Sequence, residues 1–520
     1  MQYSIGIEFG STRIKSSLIN EKFEVIAQGT YTWESQIIAG NWTYKRSQIL
    51  EGFRTCFNDL LNDYQKKFNK PLTELDSLGI SAMMHGYLAF DKNNNLLVPF
   101  RTWRNTNTKQ ASEQLSKLFN FNIPQRWSIA HLYQAILNNE RHVKEIAYIT
   151  TLAGWITYML TGKHEIGIGD ASGMFPIDLK TKQYDKEMLA KFDKLIGNKY
   201  PWKLIDILPK IKLAGDNSSI ITPEGYKFLN WDHKGKVVVC PAEGDAGTGM
   251  VCTNSVKDHT GNISAGTSAF AMIVTTKKLA PHREIDMVTT PTGFPVAMVH
   301  TNTCSSDINA WAGLFDEVLK LFGKDVPTSE LMTKLFEIAA QGDKDGNRIV
   351  NYNYYGGEEI TKLQAGKPMI VRAPDAVFNL ANFMKTLINS SMATLKLGMD
   401  ILQKEEYIEV DNIFAHGGIF KTPGIAQTTL SAALDVPISI LTNAEEGGSY
   451  GMAILAMYAI TKNANESLED YLENRVFKDV KIHTVKANDE EIAGYDKFID
   501  RYKRYLHVEK AAVNKEHGIK

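Results

Sequence analysis

Cysteine is scarce in this chain. Cys56, Cys240, Cys252 and Cys304 are widely spaced and fall in no CxxC or Cys/His pattern, which argues against a disulfide framework or a structural zinc site and for a reducing compartment, the cytoplasm. A dominant charge is also missing: 58 Lys+Arg face 59 Asp+Glu, the formal net charge is -1, and no Lys/Arg-rich block occurs. Nucleic acid and anionic membranes therefore have no electrostatic claim as partners, and small molecules become the expected ones. No stretch approaches the ~20 apolar residues of a membrane span, and the first residues form an alternating apolar segment instead of a basic-then-apolar leader, so neither insertion nor export is expected. Two nucleotide-binding spacings are absent as well, GxxxxGK[ST] and GxGxxG, which disfavours P-loop and Rossmann architectures.

What the chain does have is a large apolar fraction, 43% over 520 residues, enough for two large globular lobes. Tyr3–Phe9, Arg13–Asn20 and Glu24–Tyr31 alternate apolar and polar residues across gaps too short for helices, which predicts a β-meander. Helical spacing follows in residues 47–68, then a buried strand over Leu78–Ala82. These signals predict an α/β fold with mixed sheets covered by helices. About half a chain later, Gly261–Val274 repeats the opening logic of Ser4–Lys15: an extended run, a Gly-hydroxyl-hydroxyl turn, another extended run. The repeat places lobe boundaries near 1–254 and 255–520. Further elements are expected as a long helix over Leu380–Leu402, strands over Glu409–Ala415 and Val436–Leu441, buried and charged helices over Met452–Ile460 and Tyr495–Tyr505, and a frayed polar tail over the last dozen residues.

Glycine-rich turns let backbone N–H groups approach phosphate oxygens without Cβ interference. Five occur: Gly10-Ser11-Thr12, the loop Gly244–Gly249, Gly266-Thr267-Ser268, Gly417-Gly418 and Gly447-Gly448. Asp245 lies inside the second of these, directly after the apolar strand Val237–Cys240. A carboxylate so placed either forms a turn with its own backbone or accepts a proton from a substrate hydroxyl. Glu8 ends the first strand just before Gly10, and two carboxylates near phosphate turns suit a Mg²⁺–nucleotide enzyme. Met84-His85-Gly86 is read as a pocket wall or as structural. Trp103-Arg104-Asn105-Thr106-Asn107 sets an aromatic plate beside amides, suited to a sugar or to an ordinary loop, and Asp170-Ala-Ser-Gly173 is a carboxylate in a small-residue turn. A competing signal is Gly447-Gly-Ser449-Tyr-Gly451, which matches the GxSxG of serine hydrolases with His416-Gly-Gly as oxyanion loop. Asn443-Ala-Glu-Glu446, however, separates it from the preceding strand.

In this order the turns resemble the FGGY carbohydrate kinases, the xylulokinase/ribulokinase-like branch of the actin/hexokinase/Hsp70 superfamily. Gly6–Lys15 is similar to GIDxGTxxxK, Ser81–Gly86 to QMHG, Asp170–Gly173 to DAAGT, Ala242–Gly249 to GGGDxxAGxxG, and Ile263–Ser268 to the second phosphate motif. His416-Gly-Gly418 and Glu446-Gly-Gly448 resemble the adenosine-side glycines. Departures are Glu8 for Asp, Trp103-Asn105-Asn107 for WxDxR, Glu359 for the Arg of GER, and Asn389-Ser390 for Glu-Gly.

The resemblance implies two ribonuclease-H-like (actin-like ATPase) domains with a ligand cleft between them, binding ATP, Mg²⁺ and a keto sugar. It implies Asp245 as catalytic base; Met84, His85, Gly86, Trp103, Asn105 and Asp245 as sugar contacts; Glu8 and Asp245 at the metal. Gly10, Ser11, Thr12, Lys15, Gly266, Thr267, Ser268, Gly417, Gly418 and Gly448 would meet the nucleotide. L-ribulose and D-xylulose are the favoured substrates. Other ketoses or polyols, and an ATP-binding sugar sensor without phosphotransfer, stay open, and a homodimer is compatible with the resemblance.

Overall fold

A computed structural model of the chain describes residues 2–216, 219–233, 235–442 and 447–516. The chain packs as two compact units. The first combines Met1–Asp258, Asp286–Val296 and Asn443–Val480; the second combines His259–Ile285, Ala297–Thr442 and Lys481–Lys520.

The first unit is built on a mixed sheet. Its strands are β1 (Tyr3–Phe9), β2 (Arg13–Asn20), β3 (Val25–Thr32), β4 (Ser77–Ala82), β5 (Ser219–Ile220), β6 (Val238–Val239) and β7 (Glu243–Gly244), in the order β5-β6-β4-β1-β2-β3 with β7 pairing β4. The opening meander is antiparallel as expected, while β4 runs parallel to β1. Strand alternation then sorts β1 into two faces. Ile5, Ile7 and Phe9 join a core with Phe53, Cys56, Phe57 and Leu60 of helix α1 (Arg46–Phe68), where the Phe9 and Phe53 ring centroids are 5.7 Å apart. Ser4, Gly6 and Glu8 face a different helix, which arrives from far along the chain.

Among the other helices of this unit, α2 (Asp245–Cys252) and α3 (Gly448–Thr461) position the site. The absence of a side chain at Gly6 lets α3 lie directly on β1, since a Cβ there would run into the backbone of Ser449, Met452 and Ala453. Glycine at 451 does the same for α2, because a Cβ would strike the Thr248 carbonyl. That contact also corrects the expectation of a Gly-rich loop over 244–249. Intrinsic propensity disfavours a helix with glycines at 247 and 249, yet close packing of α2 on α3 and an acidic residue in the first turn of α2 override it.

In the second unit, β8 (Thr260–Ala265) and β9 (Ala269–Val274) form an antiparallel pair joined at Gly266-Thr267-Ser268, and β10 (Asn412–His416) runs parallel to β8. β11 (Ile438–Thr442) continues parallel, and β12 (Lys481–Val485) closes antiparallel. Each unit thus carries a hairpin closed by a Gly-hydroxyl turn, its first strand paired in parallel to a later one. Of the expected frayed tail, residues 509–516 instead belong to a helix running Asp489–Glu516, and residues 517–520 lie outside the described residues. Glu509 is buried there and accepts the Lys367 N–H at 2.8 Å, and Val513 is buried too. The apolar stripe simply continues past Tyr505. Among the described residues no helix is long and apolar enough to cross a membrane.

Candidate active site

Four carboxylates converge in the first unit. Asp245 opens α2 and remains partly exposed. Its Oδ1 accepts the backbone N–H of Met84 and of Ala246, both at 3.0 Å, and burial still pushes the carboxyl up to about 6. Glu8, at the end of β1, is also partly exposed. Desolvation and then the charge of Asp245 push it up to about 7, against the pull of Lys15 and the N–H groups of Ser449 and Gly448. Lys15 stands directly across the hairpin from Glu8 in the β1–β2 register. Behind this pair lie two buried acids, Asp170 and Glu243, each 1% exposed. Asp170 accepts the Thr151 hydroxyl at 2.6 Å and is pushed up to about 7 by burial, with the Asp245 charge adding to it. Glu243 accepts the Asp170 N–H at 3.1 Å and is held well above the usual carboxylate range by burial, with the Asp170 charge next. Room for Glu243 exists because residues 167 and 169 are glycines whose Cβ atoms would collide with its carboxyl oxygens.

The Met-His-Gly segment meets this cluster. Met84 packs against Gly244, where a Cβ would hit its side chain, and the imidazole of His85 lies against Gly173 and faces its carbonyl, with Nδ1 to O at 3.3 Å. His85 and Gly86 both adopt left-handed backbone conformations, φ 69° and 87°, which a non-glycine residue seldom does without a positional reason. Burial and the nearby Arg126 charge keep the His85 imidazole well below its ordinary pKa, hence neutral. The segments around Met84, Asp170 and Asp245, recognised separately in the sequence, therefore form one packed wall.

Gly10-Ser11-Thr12 is the β1–β2 turn, closed by Gly10 N–H to the Arg13 carbonyl at 2.9 Å. Trp103, 38% exposed, donates its indole N–H to the Ser11 hydroxyl at 3.1 Å. Asn105 pins its own loop: its side-chain oxygen accepts the Trp42 N–H and its amide donates to the carbonyls of Trp42 and Thr102. Gly448 sits in the first unit against Glu8, whose Oε1 would lie 2.5 Å from a Cβ placed there. Glu446 lies outside the described residues.

In the second unit, the Gly266 carbonyl accepts the N–H and hydroxyl of Ser305 at 3.0 and 2.6 Å, and the Thr267 carbonyl accepts the Cys304 N–H at 3.0 Å. Gly417, with φ 118°, abuts Ala265, where a Cβ would meet backbone; Gly418 faces open space. Gly266, Gly417 and Gly418 thus gather at the ends of β8 and β10. The hydrolase reading fails, because Ser449 is 5% exposed in the first turn of α3 and its hydroxyl pairs with Ser17 at 3.0 Å. Sequence reasoning missed Glu243 as part of the cluster. Its signal was a bulky acid within Ala242-Glu-Gly-Asp, where the resembled loop carries glycine.

The chain is similar to known proteins along nearly its whole length. A xylulose kinase of Haemophilus influenzae is 23% identical over 527 residues, spanning 96% of this chain and 99% of the relative. Among solved structures, the ligand-bound xylulose kinase of Lactobacillus acidophilus superposes with a TM-score of 0.79 at 18% identity, covering 99% of this chain and 100% of that one. Plasmodium falciparum glycerol kinase with ADP reaches 0.76 at 15% identity, with 98% of each chain covered. The N-terminal domain of the FGGY family of carbohydrate kinases matches residues 3–252 and its C-terminal domain matches 261–460. With both domain models matched in order over most of its length, the chain belongs to the FGGY family of carbohydrate kinases, phosphotransferases whose acceptor is an alcohol group.

Proposed function

We propose that the chain phosphorylates the terminal hydroxyl of a keto sugar with ATP, the sugar being a pentulose, L-ribulose or D-xylulose. The observation that carries this reading is Asp245: a partly exposed carboxylate at a helix head, fixed by two backbone N–H groups and raised to about 6, beside the Met84-His85 wall. Such a group is ionised at neutral pH yet basic enough to take the proton of a hydroxyl as it attacks a phosphoryl group, a contribution typically worth ~10²–10⁴-fold. In the first unit the phosphate-facing groups on this reading are Ser11, Thr12 and Lys15. In the second they are Gly266, Thr267 and Ser268, with Gly417 and Gly418 beside the nucleoside. The pentulose preference is supported by the wall joining Met84-His85-Gly86 to Asp170–Gly173 and by the xylulose kinase relative. The glycerol kinase likeness keeps polyols in the test.

The residues fit Mg²⁺. Glu8 is raised partly by the charge of Asp245, a repulsion a cation would relieve, and among the described residues no group of three or more acidic, His or Cys ligands could hold a metal. A cation held by Glu8 and Asp245 would complete its shell from phosphate and water, as Mg²⁺ commonly does. When bound, Mg²⁺ supplies neutralisation of the charge on the transferred phosphoryl group. All four cysteines are buried thiols, which suits a cytoplasmic enzyme.

The test is ADP release over a panel of pentuloses, hexuloses and polyols. D-xylulose or L-ribulose should show the highest kcat/KM. No release with any acceptor would sink the kinase reading, and sugar-dependent ATP binding without release would identify a sensor.

A further inference from the structure

The Gly10-Ser11-Thr12 turn is braced from behind by aromatic donors. The Trp33 indole N–H donates to the Gly10 carbonyl at 2.8 Å, the Tyr44 hydroxyl to the Ser11 carbonyl at 2.6 Å, and the Trp33 backbone N–H to the Thr12 carbonyl at 3.1 Å. The rings of Trp33 and Tyr44 stack at 4.1 Å. Every carbonyl of the turn is therefore engaged, and its backbone has little freedom to reorient. The fourth contact differs in kind. It comes from the loop at residues 102–107 and ends on a side chain: Trp103 Nε1–H donates to Ser11 Oγ at 3.1 Å.

That loop is itself rigidly mounted. Asn105 spends its whole amide on Trp42 and Thr102. The Arg104 guanidinium lies over the Trp42 ring at 4.0 Å and donates to Ser35 Oγ at 2.8 Å, and Asn107 donates to Asn41 at 3.0 Å. Trp103 is held between these anchors with part of its ring exposed. A hydroxyl whose oxygen accepts an N–H keeps its own hydrogen to donate. Ser11 so constrained is oriented as a donor, and a donor to an anionic oxygen forms the stronger, charge-assisted class of hydrogen bond.

We propose that Trp103 is a positioning residue that couples the acceptor side of the reaction to the phosphate side: its indole N–H fixes the Ser11 hydroxyl as a donor to a phosphate oxygen, and a substrate seated on the exposed ring holds that contact in place. The inference rests on the function proposed above. It explains why the amides of the altered Trp103–Asn107 segment contact protein: they mount the tryptophan.

The variants Trp103→Phe, Ser11→Ala and the double variant test it. Phe keeps an aromatic face, smaller by the five-membered ring, and removes the N–H. We expect Trp103→Phe to lower kcat/KM for ATP roughly tenfold or more, whatever the smaller face does to the sugar KM. Ser11→Ala should do the same, and the double variant should be no worse than the poorer single one. An unaltered Trp103→Phe, a change confined to the sugar KM, or fully additive losses would overturn the proposal. Calorimetry with a non-hydrolysable ATP analogue separates this inference from the kinase reading. If no sugar is phosphorylated but both single variants lose analogue affinity together, the coupling stands without the kinase assignment. If neither loses affinity, the coupling falls.

Discussion

The backbone N–H of Met84 donates to the Asp245 carboxylate at 3.0 Å, joining the segment just after β4 to the head of α2. One bond thereby holds both the carboxylate proposed as the base and the Met84-His85 wall beside it.

Asp245→Asn retains an oxygen for the Met84 and Ala246 N–H groups and removes the basic function. Phosphotransfer should fall by about 10²-fold or more, while the circular dichroism spectrum and melting temperature stay close to wild type. Activity within a few-fold of wild type would show that another group takes the proton.

A base raised to about 6 must be ionised to act. The kcat/KM for the sugar should therefore be flat near pH 8 and decline at lower pH with unit slope, and a bound cation, which favours the ionised carboxylate, moves that decline below about pH 6. An acid limb that persists unchanged in the residual activity of Asp245→Asn would contradict Asp245 in this role.

Asp170 makes a stability prediction. Its carboxyl holds a proton more tightly folded, up to about 7, than its ordinary value of 3.8. The folded state therefore binds more protons between those values. This contribution favours folding below about pH 4 and is lost as pH rises through the folded value. Asp170→Asn, which keeps an acceptor for Thr151, should melt a few °C above wild type near pH 8, by about 2–4 °C, and should lose the advantage near pH 4. Equal melting temperatures at both pH values would refute the buried, proton-retaining carboxyl.

Gly6→Ala should loosen α3 from β1. Because the colliding atoms are backbone of Ser449 and Ala453, neither side can yield cheaply, and the expected cost is about 1–3 kcal/mol in denaturant unfolding. The same substitution at Gly418, which faces open space, should cost far less.

Glu243→Ala strips the Asp170 N–H of its acceptor and opens a void beside Gly167 and Gly169. It should cost about 1–3 kcal/mol, and Glu243→Gln, which keeps an acceptor, should recover most of that. Indistinguishable stabilities for the two variants would mean the carboxyl has no anchoring role.

Much of this was legible locally. The alternation in Tyr3–Thr32 determined three paired strands, because a period of two leaves only one face for Ile5, Ile7 and Phe9. The Gly-hydroxyl turns at 10–12 and 266–268 were legible for the same reason, since turn chemistry acts within a few residues. Asp245, Met84 and His85 could be named from their neighbours in sequence.

Strands, turns and three of the four acids, Glu8, Asp170 and Asp245, were thus readable from the chain alone. It took the folded structure to show that α3 packs on β1 in the first unit, that Gly448 faces Glu8, that Glu243 is buried against Asp170, and that Asn105 is spent on Trp42 while Trp103 reaches Ser11. These outcomes depend on which glycine leaves space for which distant backbone, and on which donor finds a buried acceptor. Such matches are made across hundreds of residues, where no local period or propensity carries the information.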